Sequence, residues 1–315
     1  MTAKKLTFLD VGEIDRGRPA GRPPKTNKKV EFMKKVLRGT QYVAPRWTAK
    51  QIWMEFTRAA KTPWREAQKE MVKSATITPL TYRDKTIYHY RWGKLGGPTV
   101  LLVHGWRSKI IDFRRLIQAL VNEGYVVEGI DMPAHGDSEG THSALPEFYD
   151  VLNTYASSGA PYHAVIGYSL GGLAAGLWTA NLPKEKKPQQ LVFLAAPPYA
   201  RYFFEDIVND LKLNQRVYHK FCGMVEEHYG ASIDFFDLRE QLHKLENISL
   251  HLAYDEVDET VPFDRGQSLW NQLPHATFLH GKGLGHYKII SHFDVISYVI
   301  ERLSEETLVP LEERG

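Results

Sequence analysis

Residues 162–172 read YHAVIGYSLGG, an apolar run that ends in a glycine-rich turn. The turn has the pattern G-x-S-x-G with Ser169 at its centre, and the helix-like stretch LAAGLWTANL follows it. A serine on such a strand-turn-helix junction needs small neighbours, because the chain passes close to itself there. The junction also places the hydroxyl at the N-terminus of a helix, whose dipole favours developing negative charge. The pattern therefore predicts that Ser169 is a nucleophile.

Similar apolar runs recur on both sides of this one, and most are separated by stretches long enough for a helix. Uniformly apolar runs suit strands buried on both faces, and helical connections imply a mainly parallel sheet with helices on each side. Residues 76–92, TITPLTYRDKTIYHYRW, predict an antiparallel hairpin at the sheet edge. The two strands of this hairpin, the run before Ser169 and five other apolar runs predict a mostly parallel, eight-stranded sheet. The other runs are TVLLVHG (99–105), YVVEGID (125–131), QLVFLAA (190–196), ISLHLAY (248–254) and ATFLHG (276–281).

A serine hydroxyl is a poor nucleophile unless a base takes its proton, and that base is usually a histidine held by a carboxylate. His286, in GKGLGHYKII, lies in a glycine-rich loop after the last predicted strand. Asp258, in AYDEVDETVP, lies just after another predicted strand, where the pattern D-x-x-V-P fits a turn that leaves the strand. The chain order serine, acid, histidine is the order in which these groups occur when a G-x-S-x-G turn lies on a mostly parallel sheet of this kind. Asp255 and Glu256 are near neighbours that could replace Asp258, and both stay open as alternatives.

Acyl transfer from a serine also needs amide donors for the oxyanion that forms. One should be the backbone NH of Leu170, directly after the nucleophile, and the second should come from a loop after an earlier strand. VLLVHGW ends such a strand, so the NH of Trp106 is the candidate. We interpret Arg107 and Lys109, which follow it, as solvated surface charges.

The N-terminal region differs in composition from the rest of the chain. Residues 1–50 carry 13 of the 40 basic residues and only 4 acidic residues, whereas the whole chain has a net charge of +3. Glycine, proline and charge predict that residues 1–29 form a flexible basic arm. Helical spacing of apolar residues predicts a helical extension over residues 30–73. Residues 74–315 then form the main domain, with an inserted cap at about 197–246.

Composition also narrows the function classes. The single cysteine, Cys222, excludes an intramolecular disulfide. No H-E-x-x-H motif or close cluster of histidines and carboxylates is present, so we expect neither a metal nor another cofactor. Basic residues without interleaved aromatic residues do not predict nucleic-acid binding. The chain shows no secretory leader and no apolar stretch of about 20 residues, which predicts a cytoplasmic protein without a membrane partner.

Five motifs in order resemble those of the α/β-hydrolase superfamily, particularly its bacterial esterase-like and serine-aminopeptidase-like members. This resemblance covers roughly residues 74–305 and implies the α/β-hydrolase fold, with Ser169, Asp258 and His286 as a catalytic triad and with Trp106 and Leu170 as the oxyanion hole. Ala134 and Tyr168 depart from the glycine and histidine that the family often has there; the second departure is expected to affect the pocket wall. The motifs are HGW (104–106), DMPAHGDS (131–138), GYSLGG (167–172), DEVDETVP (255–262) and GLGH (283–286).

These residues predict hydrolysis of a small-molecule carboxylic ester, with a small or medium acyl chain, through an acyl-enzyme intermediate. Thioesterase, amidase and peptidase activities use the same three residues and stay open. A serine nucleophile argues against dehalogenase and epoxide hydrolase chemistry, which normally use an aspartate at this position of the fold. A non-catalytic binding protein on the same fold is the alternative from a different class.

Overall fold

The computed structural model describes residues 5–11, 28–157 and 159–305. The strands in this part of the chain are β1 (Lys5–Asp10), β2 (Thr76–Tyr82), β3 (Lys85–Trp92), β4 (Thr99–Val103), β5 (Val126–Asp131), β6 (Ala164–Tyr168), β7 (Gln190–Leu194), β8 (Ser249–Asp255) and β9 (Thr277–Lys282). The α-helices are α1 (Lys28–Val43), α2 (Pro45–Phe56), α3 (Glu66–Lys73), α4 (Arg114–Asn122), α5 (Leu145–Val151), α6 (Leu170–Asn181), α7 (Arg201–Asp210), α8 (Gln215–Tyr229), α9 (Phe263–Asn271), α10 (Gly285–Lys288) and α11 (Phe293–Ser304). Short 3-10 helices cover Ile110–Phe113, Lys184–Lys186, Ile233–Phe236 and Leu238–Leu245, and Leu152–Ala156 is a π-helical turn.

All nine strands belong to one sheet, in the order β1-β9-β8-β7-β6-β4-β5-β3-β2. β2 and β3 form the predicted antiparallel hairpin at one edge, and β3 pairs antiparallel with β5. The other strand pairs are parallel. Because parallel strands end at the same edge of a sheet, the residues that follow β4, β6, β8 and β9 gather there.

The prediction of eight strands was wrong by one, because residues 1–29 are not entirely a flexible arm. Lys5–Asp10 form β1, which pairs in parallel with β9 along its whole length. Thr7 and Leu9 are half-buried and Leu9 packs against the core, whereas Leu6 and Phe8 are exposed. This alternation is the period of two that a strand requires. Residues 12–27 of the predicted arm lie outside the described residues.

The centre of the sheet is apolar on both faces. All five residues of β6 and of β7 are buried, as are all seven of β8. Helix α6, which begins directly after Ser169, has ten consecutive buried residues from Gly171 to Ala180. A helix that is apolar all round belongs in a core. Ser169 is therefore held between a fully buried strand and a fully buried helix.

The chain divides into two compact units. The first comprises Met1–Gly12, Ala59–Pro198 and Leu238–Gly315, and its described part contains the sheet with α3 to α6 and α9 to α11. The second comprises Glu13–Arg58 and Tyr199–Asp237, and its described part contains α1, α2, α7 and α8. Helix α3 thus lies in the unit of the sheet, although the sequence grouped it with the extension over residues 30–73.

The second unit joins two segments that are far apart in sequence. The indole of Trp53 on α2 lies 5.2 Å from the ring of Phe221 on α8, measured between centroids. Phe204 on α7 stacks on the same Phe221 ring, with its ring plane 14° from that of Phe221. The side-chain Nε of Arg38 on α1 donates a hydrogen bond to the carbonyl of Leu211 at 3.0 Å. Helices from the N-terminal extension therefore pack against helices from the insertion.

Candidate active site

Ser169 lies at the sharp turn between β6 and α6. Its backbone has φ of +51° and ψ of −130°, a conformation that costs a non-glycine residue about 1–3 kcal/mol. The amide of Ser169 donates to the carbonyl of Leu194 at 2.9 Å, which holds the turn against β7. Gly171 has to be small because a Cβ atom there would lie 2.1 Å from the carbonyl oxygen of His104. The turn is thus strained and closely packed, as the G-x-S-x-G pattern predicted.

The three residues singled out from sequence meet at the carboxyl edge of the sheet. The Oγ atom of Ser169 lies 3.0 Å from Nε2 of His286. The other ring nitrogen of His286, Nδ1, lies 2.7 Å from Oδ2 of Asp258. All three residues are at least 93% buried, with exposed fractions of 6%, 7% and 6% for Ser169, His286 and Asp258. The geometry allows a proton to pass from the serine hydroxyl to a histidine whose orientation is set by a carboxylate.

Backbone amides hold the carboxylate of Asp258 in place. Its Oδ1 atom accepts hydrogen bonds from the amides of Thr260 and Val261, both at 2.8 Å. Its Oδ2 atom is left to accept from His286. Donors on a carboxylate stabilise its charged form. The structure therefore distinguishes Asp258 from Glu256, whose Oε1 atom contacts Nε2 of His280 instead.

Asp255, the other alternative, has a different set of contacts. Its carboxylate is fully buried and accepts hydrogen bonds from the amides of Leu284 and Gly285, both at 2.9 Å, and of Val257 at 3.1 Å. The first two amides belong to the loop that precedes His286, and the third belongs to the loop that leads to Asp258. Asp255 therefore ties the two loops together without contacting the histidine ring. The sequence left Asp255 open as an alternative to Asp258 and gave no indication of this separate anchoring role.

Tyr168 also supports the histidine loop. It is 3% exposed, and its hydroxyl donates a hydrogen bond to the backbone carbonyl of His286 at 3.1 Å. Burial raises the pKa of Tyr168, so the hydroxyl stays protonated and remains a donor. The expectation that this position affects the pocket wall stays a prediction; what the structure shows is the contact of its hydroxyl with the histidine loop.

The loop after β4 lies directly beside the nucleophile. A Cβ atom on Gly105 would be 2.8 Å from Cβ of Ser169. His104 fixes this loop: its Nε2 accepts from the amide of Met132 at 2.9 Å, so Nδ1 carries the proton and donates to the carbonyl of Gly105 at 2.8 Å. Burial lowers the pKa of His104 to about 4, which keeps the ring neutral. Trp106 follows in the same loop.

Two more buried titratable groups brace this loop. Asp131, the last residue of β5, accepts hydrogen bonds from the amides of Ile110 at 2.8 Å and Asp137 at 3.1 Å. Burial raises the pKa of Asp131 to about 7. The ring of His135 lies 4.9 Å from that of Trp106, and burial lowers the pKa of His135 to about 3. These contacts connect the loop after β4 to the residues at and just after the end of β5.

One interpretation of the basic residues here was wrong. Lys109 is 3% exposed, not solvated. Its Nζ atom donates to the hydroxyl of Thr62 at 2.9 Å and lies 3.3 Å from Oδ1 of Asp112. A buried ammonium group needs such partners, and Thr62 and Asp112 provide them for Lys109. Arg107, by contrast, is exposed as expected.

Residues 5–11, 28–157 and 159–305 contain no group of three or more histidine, cysteine, aspartate or glutamate side chains that could hold a metal ion. Within the same ranges, none of the helices has both the length and the hydropathy that crossing a membrane requires.

Comparison with known proteins identifies the family. A family model described as the alpha/beta hydrolase family matches residues 100–285, which run from β4 to the residue before His286. This match spans more than half of the 315 residues, and the chain belongs to the alpha/beta hydrolase family. The predicted fold class is confirmed.

Individual relatives are more distant. The chain is 26% identical to serine hydrolase-like protein 2 of Homo sapiens over 167 residues, which cover 51% of each protein, so it spans about half the length of that relative. It is 36% identical over 189 residues to a pimeloyl-[acyl-carrier protein] methyl ester esterase of Stenotrophomonas maltophilia, covering 59% of this chain and 69% of that one. The esterase Pf2001 of Pyrococcus furiosus has a similar fold, with a TM-score of 0.57 and 20% identity over 78% of this chain and 98% of that one.

Proposed function

We propose that this hydrolase cleaves carboxylic esters of small or medium acyl chains, with Ser169 as the nucleophile of an acyl-enzyme mechanism. The observation that carries the proposal is the continuous hydrogen-bonded array from Oγ of Ser169 through His286 to Asp258, at 3.0 and 2.7 Å. Both distances fall in the range expected of a nucleophile, its base and the group that orients the base. Burial of all three residues strengthens their electrostatic interactions.

In the first half of the reaction, Oγ of Ser169 attacks the ester carbonyl and Nε2 of His286 takes the hydroxyl proton. The imidazolium that forms is stabilised by the carboxylate of Asp258, which accepts from Nδ1–H and is itself held by two amides. His286 then gives the proton to the leaving alcohol as the tetrahedral intermediate collapses to the acyl-enzyme. Water repeats the sequence and releases the acid.

The oxyanion would be stabilised by the amides of Leu170 and Trp106. Leu170 is the first residue of α6, so its amide is one of those that have no partner within the helix. Trp106 follows Gly105, whose backbone borders Ser169. Fixed amide donors that face developing negative charge contribute about 10²–10³ in rate per donor. The buried contacts of His104 support this role, because they hold the loop rigid before substrate binds.

The ester assignment rests on the relatives. The Stenotrophomonas protein is named a methyl ester esterase and the Pyrococcus protein an esterase. Thioesters and amides would be attacked by the same serine, so the leaving group has to be tested directly.

The first experiment measures hydrolysis of p-nitrophenyl esters from acetate to decanoate, together with labelling by a fluorophosphonate probe. Ser169→Ala should abolish both, whereas the wild type should prefer one part of the ester series. Ser143→Ala is the matched control, because Ser143 is also buried, at 2% exposure, and lies outside the proposed triad. Parallel assays with a p-nitroanilide and an acyl thioester compare the leaving groups.

The outcomes separate the alternatives. Activity lost in Ser169→Ala but retained in Ser143→Ala would support the proposal. Faster turnover of the anilide or thioester than of the matching oxygen ester would reassign the substrate class. A folded wild-type protein that neither labels nor turns over any substrate would favour a binding protein on this fold.

A further inference from the structure

Large apolar side chains are exposed in one part of the second unit. Among the described residues, seven of the fourteen exposed large apolar side chains lie between Phe32 and Phe56, on α1 and α2. A soluble surface normally carries such residues singly, and a concentration of them marks an interaction site. These side chains are Phe32, Met33, Tyr42, Val43, Trp47, Met54 and Phe56.

Three apolar residues of α1, two of them exposed, share one helical face. Phe32, Val36 and Val43 are separated by four and seven positions, so they lie one above the other. Phe32 is 68% exposed and Val43 is 84% exposed, and Val36 between them is partly exposed. The opposite face carries Leu37 and Gln41, which are buried. Gln41 accepts a hydrogen bond from the amide of Asn214 at 2.7 Å, so this inner face is the one that packs.

Helix α2 likewise has one exposed face and one buried face. Trp47 and Met54 are seven positions apart on one face and are 43% and 40% exposed. Ile52 on the other face is buried, and the neighbouring Trp53 packs on Phe221 of α8. Because α2 begins two residues after α1 ends, only four positions in the sequence separate Val43 from Trp47. We call the exposed surface of Phe32, Val36, Val43, Trp47 and Met54 the α1–α2 face.

The surroundings of this face are cationic. Residues 28–56 contain seven basic residues and two acidic ones. Lys35 and Lys50 are exposed, and in the described part of the chain neither forms an ion pair. Lys50 also lines a groove of about 380 Å³ between α2 and α8, together with Arg46, Trp53, Met224, Glu227 and His228. Arg46 is paired there with Glu227 at 2.7 Å.

We propose that the α1–α2 face docks on the surface of an anionic phospholipid bilayer. Phe32, Val43 and Trp47 would enter the boundary between head groups and acyl chains, and Lys35 and Lys50 would pair with lipid phosphates. A helix with one apolar face and nearby lysines binds in this manner, lying in the interface without crossing the bilayer. Tryptophan suits that boundary, because its ring is apolar and its N–H is polar.

The charge near the α1–α2 face favours an anionic bilayer as its binding partner. Lipid phosphates complement the unpaired lysines, and the apolar side chains gain from transfer out of water. The inference is opposite to the sequence-based expectation of no membrane partner, and it does not depend on the proposed hydrolysis.

The test is flotation of the full chain with vesicles of phosphatidylcholine alone or of phosphatidylcholine and phosphatidylglycerol in equal parts. The wild type should float with the anionic vesicles, and binding should weaken as salt rises to about 0.5 M. The variants Phe32→Ser/Val43→Ser and Lys35→Glu/Lys50→Glu should each lower the binding constant at least about tenfold. Ser169→Ala should bind like the wild type, which keeps this test independent of catalysis.

A matched control lies in the first unit. Leu95 is 68% exposed, the same fraction as Phe32, and the adjacent Lys94 is exposed as well. The variant Lys94→Glu/Leu95→Ser should bind within about twofold of the wild type. Circular dichroism and thermal melts of every variant verify that the fold is retained.

Three results would overturn the proposal. One is a folded wild-type protein that floats with neither vesicle. Another is equal loss of binding in the Lys94→Glu/Leu95→Ser control. The third is a wild type that sediments as a dimer without lipid, becomes monomeric in Phe32→Ser/Val43→Ser and does not float, because a second copy of the chain would then cover the face.

Discussion

The carboxylate of Asp255 accepts a hydrogen bond from the amide of Gly285 at 2.9 Å, one residue before the histidine of the candidate triad. A second oxygen of the same carboxylate accepts from Leu284. Asp255 therefore anchors the loop that carries His286, whereas Asp258, three residues later, contacts the histidine itself. Two neighbouring aspartates thus have separable effects.

Asp255→Asn should mainly lower stability. The amide that replaces one oxygen would turn N–H groups toward backbone N–H donors, and leaving a buried group unsatisfied costs about 1–3 kcal/mol. The free energy of unfolding in urea should fall by about this amount. Ester turnover should fall less than in Asp258→Asn, where removing the orienting carboxylate lowers kcat by about 10³–10⁴ without a comparable loss of stability.

Glu256→Gln is the control for both changes, since Glu256 is a carboxylate of the same segment and contacts His280 rather than His286. It should leave turnover within about twofold of the wild type. If Asp255→Asn abolished turnover while Asp258→Asn preserved it, the assignment of the two roles would be reversed.

Tyr168→Phe removes one hydroxyl and little else. The carbonyl of His286 would lose its donor, so the free energy of unfolding should fall by about 1 kcal/mol, the usual net contribution of one hydrogen bond. Because the histidine loop would be less firmly held, kcat should fall several-fold while KM stays nearly constant. Steady-state kinetics on the preferred ester measure both constants. A change confined to KM would contradict a role in positioning His286.

Two glycine substitutions should have opposite effects. Gly171→Ala places a methyl group 2.1 Å from the carbonyl oxygen of His104, so the free energy of unfolding should fall by at least about 3 kcal/mol. Gly39→Ala on α1 meets no atom within 4 Å and should stabilise by about 0.5–1 kcal/mol, because alanine favours a helix interior over glycine. Chemical denaturation of both variants checks the contrast. Equal effects would mean that the close approach at the elbow is relieved by backbone movement.

Acid should destabilise the fold through buried histidines. Burial lowers the pKa of His251 to about 3, as it does for His135, and lowers that of His104 to about 4. Unfolded histidine titrates at about 6.5, so the unfolded chain binds more protons below that pH and stability is lost as pH falls from 6.5 toward these values. Asp131 acts in the opposite direction: its pKa of about 7 exceeds its unfolded value of 3.8, so its stabilising contribution is complete below 3.8 and lost as pH rises through 7.

With three histidines against one aspartate, stability should fall by roughly 2 kcal/mol between about pH 6 and pH 5. Urea denaturation across this range measures the slope. His251→Gln should reduce the slope by about 1.4 kcal/mol per pH unit, and Asp131→Asn should steepen it by a similar amount. A slope that His251→Gln leaves unchanged would show that His251 is already protonated in the folded state.

Local patterns in the chain were sufficient for much of the architecture. The turn around Ser169 follows from glycines on either side of a serine between an apolar run and a helix, since close packing excludes larger residues there. All eight predicted strands are present, and six of them, β4 to β9, were recognisable because buried strands have to be mostly apolar along their length. The ninth was missed because Lys5–Asp10 is an edge strand with only one half-buried face, and its period of two is short and weak.

Contacts between distant segments depended on the assembled fold. The sequence favoured Asp258 over Asp255, but the separate role of Asp255 follows from the convergence of the loops after β8 and β9, which places its carboxylate against the amides before His286. Lys109 resembles a surface charge until Thr62 and Asp112 enclose it. The pairing of α2 with α8 joins residues more than 150 positions apart. Periodicity records whether a residue is buried, but the partner that buries it is set by how the whole chain packs, so it cannot be read from neighbours in sequence.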